Sequence, residues 1–148
     1  MEVTSLIDTY CQAWSASEEA ERSRLLQQVW SPKATYTDPT AHAEGTAELL
    51  AHIAAVIARR PGSRVLRTSQ VDQHHGVARF AWRAIEADGT ELPEGIDIAF
   101  ISTDGTKIER VLGFFGPTNQ LVGIESARSN AQVLSEQQKP MPTSASDA

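Results

Sequence analysis

Apolar side chains recur at three- and four-residue intervals from the start of the chain. Val3, Leu6, Ile7, Tyr10 and Trp14 fall on one helical stripe, so the first element predicted is an amphipathic helix. SASEEAERSRLLQQVW predicts a second helix, with Ser17 as its cap and Glu18 and Glu19 at the positive end of its dipole. Leu25, Leu26, Val29 and Trp30 are its apolar residues, and Pro32 is expected to end it. After ATYTDPTAHAEG, Gly45-Thr46 leads into a third helix, AELLAHIAAVIARR. Its stripe is Leu49, Leu50, Ile53, Val56 and Ile57, and Arg59-Arg60-Pro61-Gly62 supplies a cationic last turn and a stop. From Ser63 the pattern alternates instead. SRVLRTSQVDQ, GVARFAWRAIEA, GIDIAFIST and KIERVLGFFG read as strands, with turns at His75-Gly76, Asp88-Gly89 and Asp104-Gly105. Three helices followed by an antiparallel meander predict an α+β domain, its helices laid on one face of a curved sheet.

Composition narrows the function. A chain of 148 residues builds one ordinary domain with its own core. Charged residues make up 22%, and the net charge of -6 is spread among interspersed acids and bases. That pattern argues against nucleic acid or a membrane surface as partner. The lone cysteine, Cys11, excludes an internal disulfide and a cysteine-based zinc site, and fits a reducing compartment. No apolar run reaches membrane-spanning length, and the N-terminus carries acids where a signal peptide carries bases, so a cytoplasmic location is expected. Residues 125–148 lose periodicity and gain Ser, Gln and Pro; the expected organisation is a domain over 1–124 followed by a polar C-terminal tail.

An aromatic first helix (TYCQAW), the VWSPKATYTDP segment, the GTAEL helix start and the final DGTKIERVLGFFG hairpin occur in this order. On these segments the chain resembles the nuclear transport factor 2-like superfamily, in its SnoaL-like and ketosteroid isomerase-like branch, over roughly residues 3 to 120. The resemblance implies a cone: a strongly bent antiparallel sheet wrapped by three helices around a pocket, in many members a homodimer. It implies a small apolar ligand or substrate and no cofactor or metal. The isomerase pattern falls on Tyr10 as a helix-1 hydroxyl donor, Asp38 as the base and Asp97 as a protonated strand donor. In such isomerases the base moves a proton beside a carbonyl, while tyrosine and neutral aspartic acid hold the enolate oxygen. The function implied is isomerase or polyketide-cyclase chemistry on an apolar carbonyl compound. The alternatives are a non-catalytic ligand-binding or dimerisation module, or an epoxide hydrolase built on an Asp–Arg–Asp set.

Each position also has an ordinary structural reading. Tyr10 lies on the apolar face of its helix, where a buried hydroxyl commonly satisfies itself on backbone. Asp38 before Pro39 suits a turn. Asp97 shares its strand face with Ala99 and Ile101, so it is either partnered or perturbed, and Arg79, Arg83 and Arg110 on neighbouring strands are the candidates to pair with it. A structural salt bridge is the expected outcome. Substrate-binding walls are expected from Trp14, Trp30, His52, Trp82, Val111, Gly113 and Phe115, with Gly113 opening space and Trp30 standing where some isomerases place a relay tyrosine. His52 reads as packing or pocket wall. His74 and His75, adjacent at a strand end, are expected to point to opposite faces, and His42 with Glu44 lacks the spaced histidines of a metal site.

Overall fold

The computed structural model describes residues 1–123. The expected tail, 125–148, lies outside the described residues. Every helix and strand among the described residues falls within Met1–Pro117. Helices α1 (Val3–Ala13), α2 (Glu19–Val29) and α3 (Gly45–Arg59) pack on a curved seven-stranded sheet: β1 (Trp30–Asp38), β2 (Ala41–Glu44), β3 (Arg64–Arg67), β4 (Asp72–His74), β5 (Val77–Ile85), β6 (Gly95–Ile101) and β7 (Ile108–Phe115). The strand order is β2-β1-β7-β6-β5-β3, with β4 also paired to β5.

Three local details differ from the periodicity. The second helix stops at Val29, and Pro32 sits inside β1. There the pairing of β1 with β7 slips between Trp30 and Thr35, an irregularity that tolerates a residue without an N–H. The cap is Glu18 rather than Ser17, and it makes no side-chain cap bond. The β1–β7 pair is parallel, unlike every other strand pair among the described residues, and β1 lies between the edge strand β2 and the last strand β7. His75 takes a left-handed conformation (φ 49°) in the β4–β5 turn, so it does not continue the strand alternation, and its Nδ1 lies 3.3 Å from Nδ1 of His74. The two rings meet at the surface rather than pointing apart.

The inner face of the sheet carries Ala34, Tyr36, Ala78, Phe80, Asp97, Ala99 and Val111, all buried with Leu6, Ile7, Leu26, Leu49 and Ile53 from the helices. α1 is tied to β3 by the Arg67 Nε–Asp8 Oδ1 bond of 2.7 Å and by the Val65 N–H donating to Ser15 Oγ at 2.9 Å. These contacts hold the tyrosine-bearing helix against the open end of the sheet.

Candidate functional site

A cavity of about 360 Å³ lies between the helices and the inner sheet face. α1 contributes Tyr10, Cys11 and Trp14, and α3 contributes His52, Val56 and Arg59. β1 sends in Tyr36 and Asp38, two residues apart and therefore on one face. Phe80, Trp82 and Ala84 alternate inward from β5, Asp97 comes from β6 and Phe115 from the end of β7. Tyr10, Asp38 and Asp97 thus share one cavity, with Trp14, His52, Trp82 and Phe115 in its wall. Trp30, Val111 and Gly113 do not line it. Trp30 is packed behind Tyr10 with its ring stacked at 5.8 Å, Val111 is fully buried in the core, and Gly113 lies beneath Asp97.

Two glycines create the place where Asp97 sits. Gly95 pairs with Trp82 across β5 and β6, and a Cβ there would stand 2.4 Å from the indole. Without one, the ring lies across the strand, and its Nε1–H donates to Asp97 Oδ1 at 2.8 Å. Gly113 pairs with Asp97 from β7, and a Cβ there would approach Oδ1 to 2.9 Å and Asp38 Cβ to 3.5 Å. The missing side chain leaves the two carboxyl groups on either side of one gap.

Among the described residues no arginine reaches Asp97, which corrects the expected salt bridge. Arg79 bonds Asp72 at 2.7 Å, Arg83 bonds Glu91 and the Leu92 carbonyl, and Arg110 lies over the Phe100 ring. The three point away because they occupy outward or edge positions of their strands, whereas Asp97 points inward. The Asp–Arg–Asp arrangement of an epoxide hydrolase is therefore not formed around Asp97. Burial pushes the Asp97 carboxyl up to about 7; the Trp82 hydrogen bond works the other way, and the nearby Asp38 adds to the rise. Near neutral pH this group is poised between acceptor and donor.

Asp38 is surrounded differently. Oδ1 accepts from the Thr40 N–H at 2.7 Å and the Thr40 hydroxyl at 2.8 Å, and Oδ2 accepts from the Tyr36 hydroxyl at 2.5 Å. The Asp-Pro turn and the pocket acid are one feature: Oδ1 closes the turn, while Oδ2 faces the cavity. Burial, and then the bond to Asp38, push the Tyr36 hydroxyl well above its ordinary range, so it stays protonated and donates. Tyr36 is the site residue that sequence reasoning passed over, although its two-residue spacing from Asp38 in a strand was the signal. His52 Nε2 lies 3.8 Å from Oδ2 and has no hydrogen-bond partner among the described residues.

The Tyr10 hydroxyl is buried and also without a partner among the described residues. Its ring is held by Trp30 in a stack and by Trp14 edge-on at 6.4 Å. Burial, with the Asp97 charge second, pushes its ionisation well above the tyrosine range. It is a donor with no acceptor among the described residues. Cys11 is likewise pushed up to about 12 by burial and remains a neutral thiol. His42 bonds Thr37 and Glu44 away from the cavity, and among the described residues no three His, Cys, Asp or Glu side chains converge as a metal site. No helix among them is long and apolar enough to cross a membrane.

Solved structures carry the same frame and show which lineage it comes from. A candidate isomerase of the SnoaL-like family from Agrobacterium tumefaciens is 32% identical, with a TM-score of 0.72, over 77% of this chain and 97% of that one. The chain belongs to the SnoaL-like family. Two more distant structures share the fold. A nuclear transport factor 2-like protein of unknown function from an Exiguobacterium species is 18% identical, with a TM-score of 0.60, over 76% of this chain and 99% of that one. A candidate polyketide cyclase from Sinorhizobium meliloti is 14% identical, with a TM-score of 0.58, over 74% and 93%. No protein-family model and no curated protein matches the chain. Within this SnoaL-like cone, a chain with two acids and two buried tyrosines in its cavity has the parts for moving a proton.

Proposed function

We propose that this SnoaL-like protein is a cofactor-independent enzyme that abstracts a proton beside the carbonyl of a small, largely apolar substrate. Asp38 is the base. The Tyr10 hydroxyl and protonated Asp97 donate to the enolate oxygen that forms. The observation carrying this reading is Asp97 itself: a buried acid hydrogen-bonded by Trp82, with no arginine on it among the described residues, sharing a cavity with a tyrosine hydroxyl that has no partner among them. Preorganised donors aimed at developing charge are commonly the largest single contribution to such catalysis. The candidate-isomerase relative supports the reaction class.

The native substrate need not be known to test this. 2-Tetralone, a compact apolar ketone, reports enolisation through deuterium uptake from heavy water followed by proton NMR. The protein is expected to accelerate uptake above the buffer rate. Tyr10→Phe keeps the ring stack on Trp30 but removes the donor, and should slow uptake roughly 100-fold with little loss of stability. Uptake at the buffer rate by the native protein would favour a ligand-binding module instead.

We further propose that the protein is a homodimer formed through the outer sheet face. Ile96, Ile98 and Leu112 line that face only half-buried, and Phe114 beside them is 60% exposed. Light scattering on the eluting protein is expected to report twice the chain mass, and Phe114→Arg a single chain. A native protein that runs as a monomer at tens of micromolar would rule the dimer out.

A further inference from the structure

The cavity has a charged end that the proton-transfer chemistry does not use. His52, Val56 and Arg59 all line it, four and three residues apart, so one face of α3 forms a continuous wall. At 1.5 Å per residue, the run from His52 to Arg59 covers about 10 Å. Across from it, Phe80, Trp82 and Ala84 of β5 run in step, with side chains on the same face. The acids and tyrosines gather at the His52 end, where Phe80 pairs with Asp97; Val56 and Val65 are apolar wall residues, and the C-terminal end of α3 carries Arg59 and Arg60, with Ser63 just beyond.

The two arginines differ. Arg60 is committed to Glu86. Arg59 makes no ion pair among the described residues. A cation in the last turn of a helix is favoured by the dipole wherever its side chain points, so solvent would have served equally well. Arg59 is exposed and lines the cavity mouth. The carboxylate of Asp38 at the opposite end repels an anionic head group, so a charged ligand is turned with its anion outward.

We infer that the cavity binds a medium-chain oxo acid, its carbonyl at Tyr10 and Asp97 and its carboxylate on the Arg59 guanidinium at the far end of the α3 wall. This inference rests on the proposed function and adds the substrate class. An extended chain of this class keeps its methylene groups against the apolar wall residues of the cavity, and its head stays in the wet mouth beside a planar, multiply donating cation.

Calorimetric titration of the full chain at low salt with three probes tests it: 9-oxodecanoate, its methyl ester and decanoate. The oxo acid is expected to bind about tenfold tighter than the ester. Arg59→Gln should erase that preference, leave ester affinity and thermal stability unchanged, and raised salt should narrow the preference in the native protein. Equal binding of acid and ester by the native protein overturns the inference and leaves the proton-transfer reading standing, as does a preference that survives Arg59→Gln. Decanoate binding as tightly as 9-oxodecanoate removes the carbonyl end and overturns the inference, while the proton-transfer reading is still decided by deuterium uptake. Absence of binding by every probe also overturns the inference.

Discussion

Asp38→Asn is expected to slow deuterium uptake by 2-tetralone by about 10²–10⁴-fold, the usual worth of a positioned base. The reason lies in what holds the carboxylate. Asp38 is oriented by Thr40 on one oxygen and Tyr36 on the other, while His52 stands 3.8 Å from the second. These donors replace the water that burial removes and fix the direction of the carboxyl group. Asparagine matches its volume and still accepts at Oδ1, but its amide cannot take a proton, and it presents a donor to the Tyr36 hydroxyl. The expected cost to stability is only about 1 kcal/mol, the scale of one hydrogen bond, so the loss of exchange is separable from loss of fold. Binding of the ketone, followed by quenching of the cavity tryptophans, should be preserved. Exchange as fast as in the native protein would remove Asp38 from the mechanism.

The second large effect is on stability against pH. Asp97 has a folded-state ionisation near 7 against an ordinary value of 3.8. Between these values the folded protein holds a proton that the unfolded chain has released, so stability falls as pH rises through the window. The stabilising contribution is complete below about pH 4 and is lost as pH passes about 7. At roughly 1.4 kcal/mol per unit, the loss amounts to about 4 kcal/mol. Asp97→Asn has no such proton to lose and can still accept from Trp82. Denaturant unfolding of both proteins across this range should therefore give a stability difference that shifts toward the variant with rising pH, by a few kcal/mol. A difference independent of pH would mean that Asp97 titrates alike in the folded and unfolded chains. Exchange activity should follow the same proton: it declines above about pH 7 in the native protein as the donor ionises, and that decline is absent from Asp97→Asn.

Much of this architecture is legible along the chain because it is local. The stripes of α1 and α3 and the alternation of β5, β6 and β7 arise from neighbours within one or two turns, and the Asp-Gly pairs mark their own hairpins. The SnoaL-like family and the shared cavity of Tyr10, Asp38 and Asp97 follow from the same segments. What escapes is non-local. β2 is only four residues, AHAE, and its alternation is too short to stand out beside the Asp-Pro turn. The parallel pairing of β1 with β7 joins segments some seventy residues apart, and nothing within either announces it. The partner of Asp97 depends on cross-strand register. Trp82 sits opposite Gly95, one step diagonally from the acid, and only the absence of a Cβ on Gly95 lets the indole lie across and reach it. Choosing among three arginines by strand proximity could not anticipate a tryptophan. Val111 and Gly113 share the inward face as alternation requires, yet they serve the core and the seat of Asp97 rather than the cavity wall.

The central claim is that Asp97 holds its proton up to about neutral pH, so that a carboxylic acid is available to donate when the cavity meets a carbonyl. Carbon-13 NMR of the full chain labelled at aspartate carboxyls, with the Asp97 signal identified by its loss in Asp97→Asn, measures this without any substrate. The account predicts a carboxyl carbon that titrates near pH 7. A signal that titrates in the ordinary aspartate range near 4 would contradict it, because the group would then be a buried carboxylate unable to donate to an enolate.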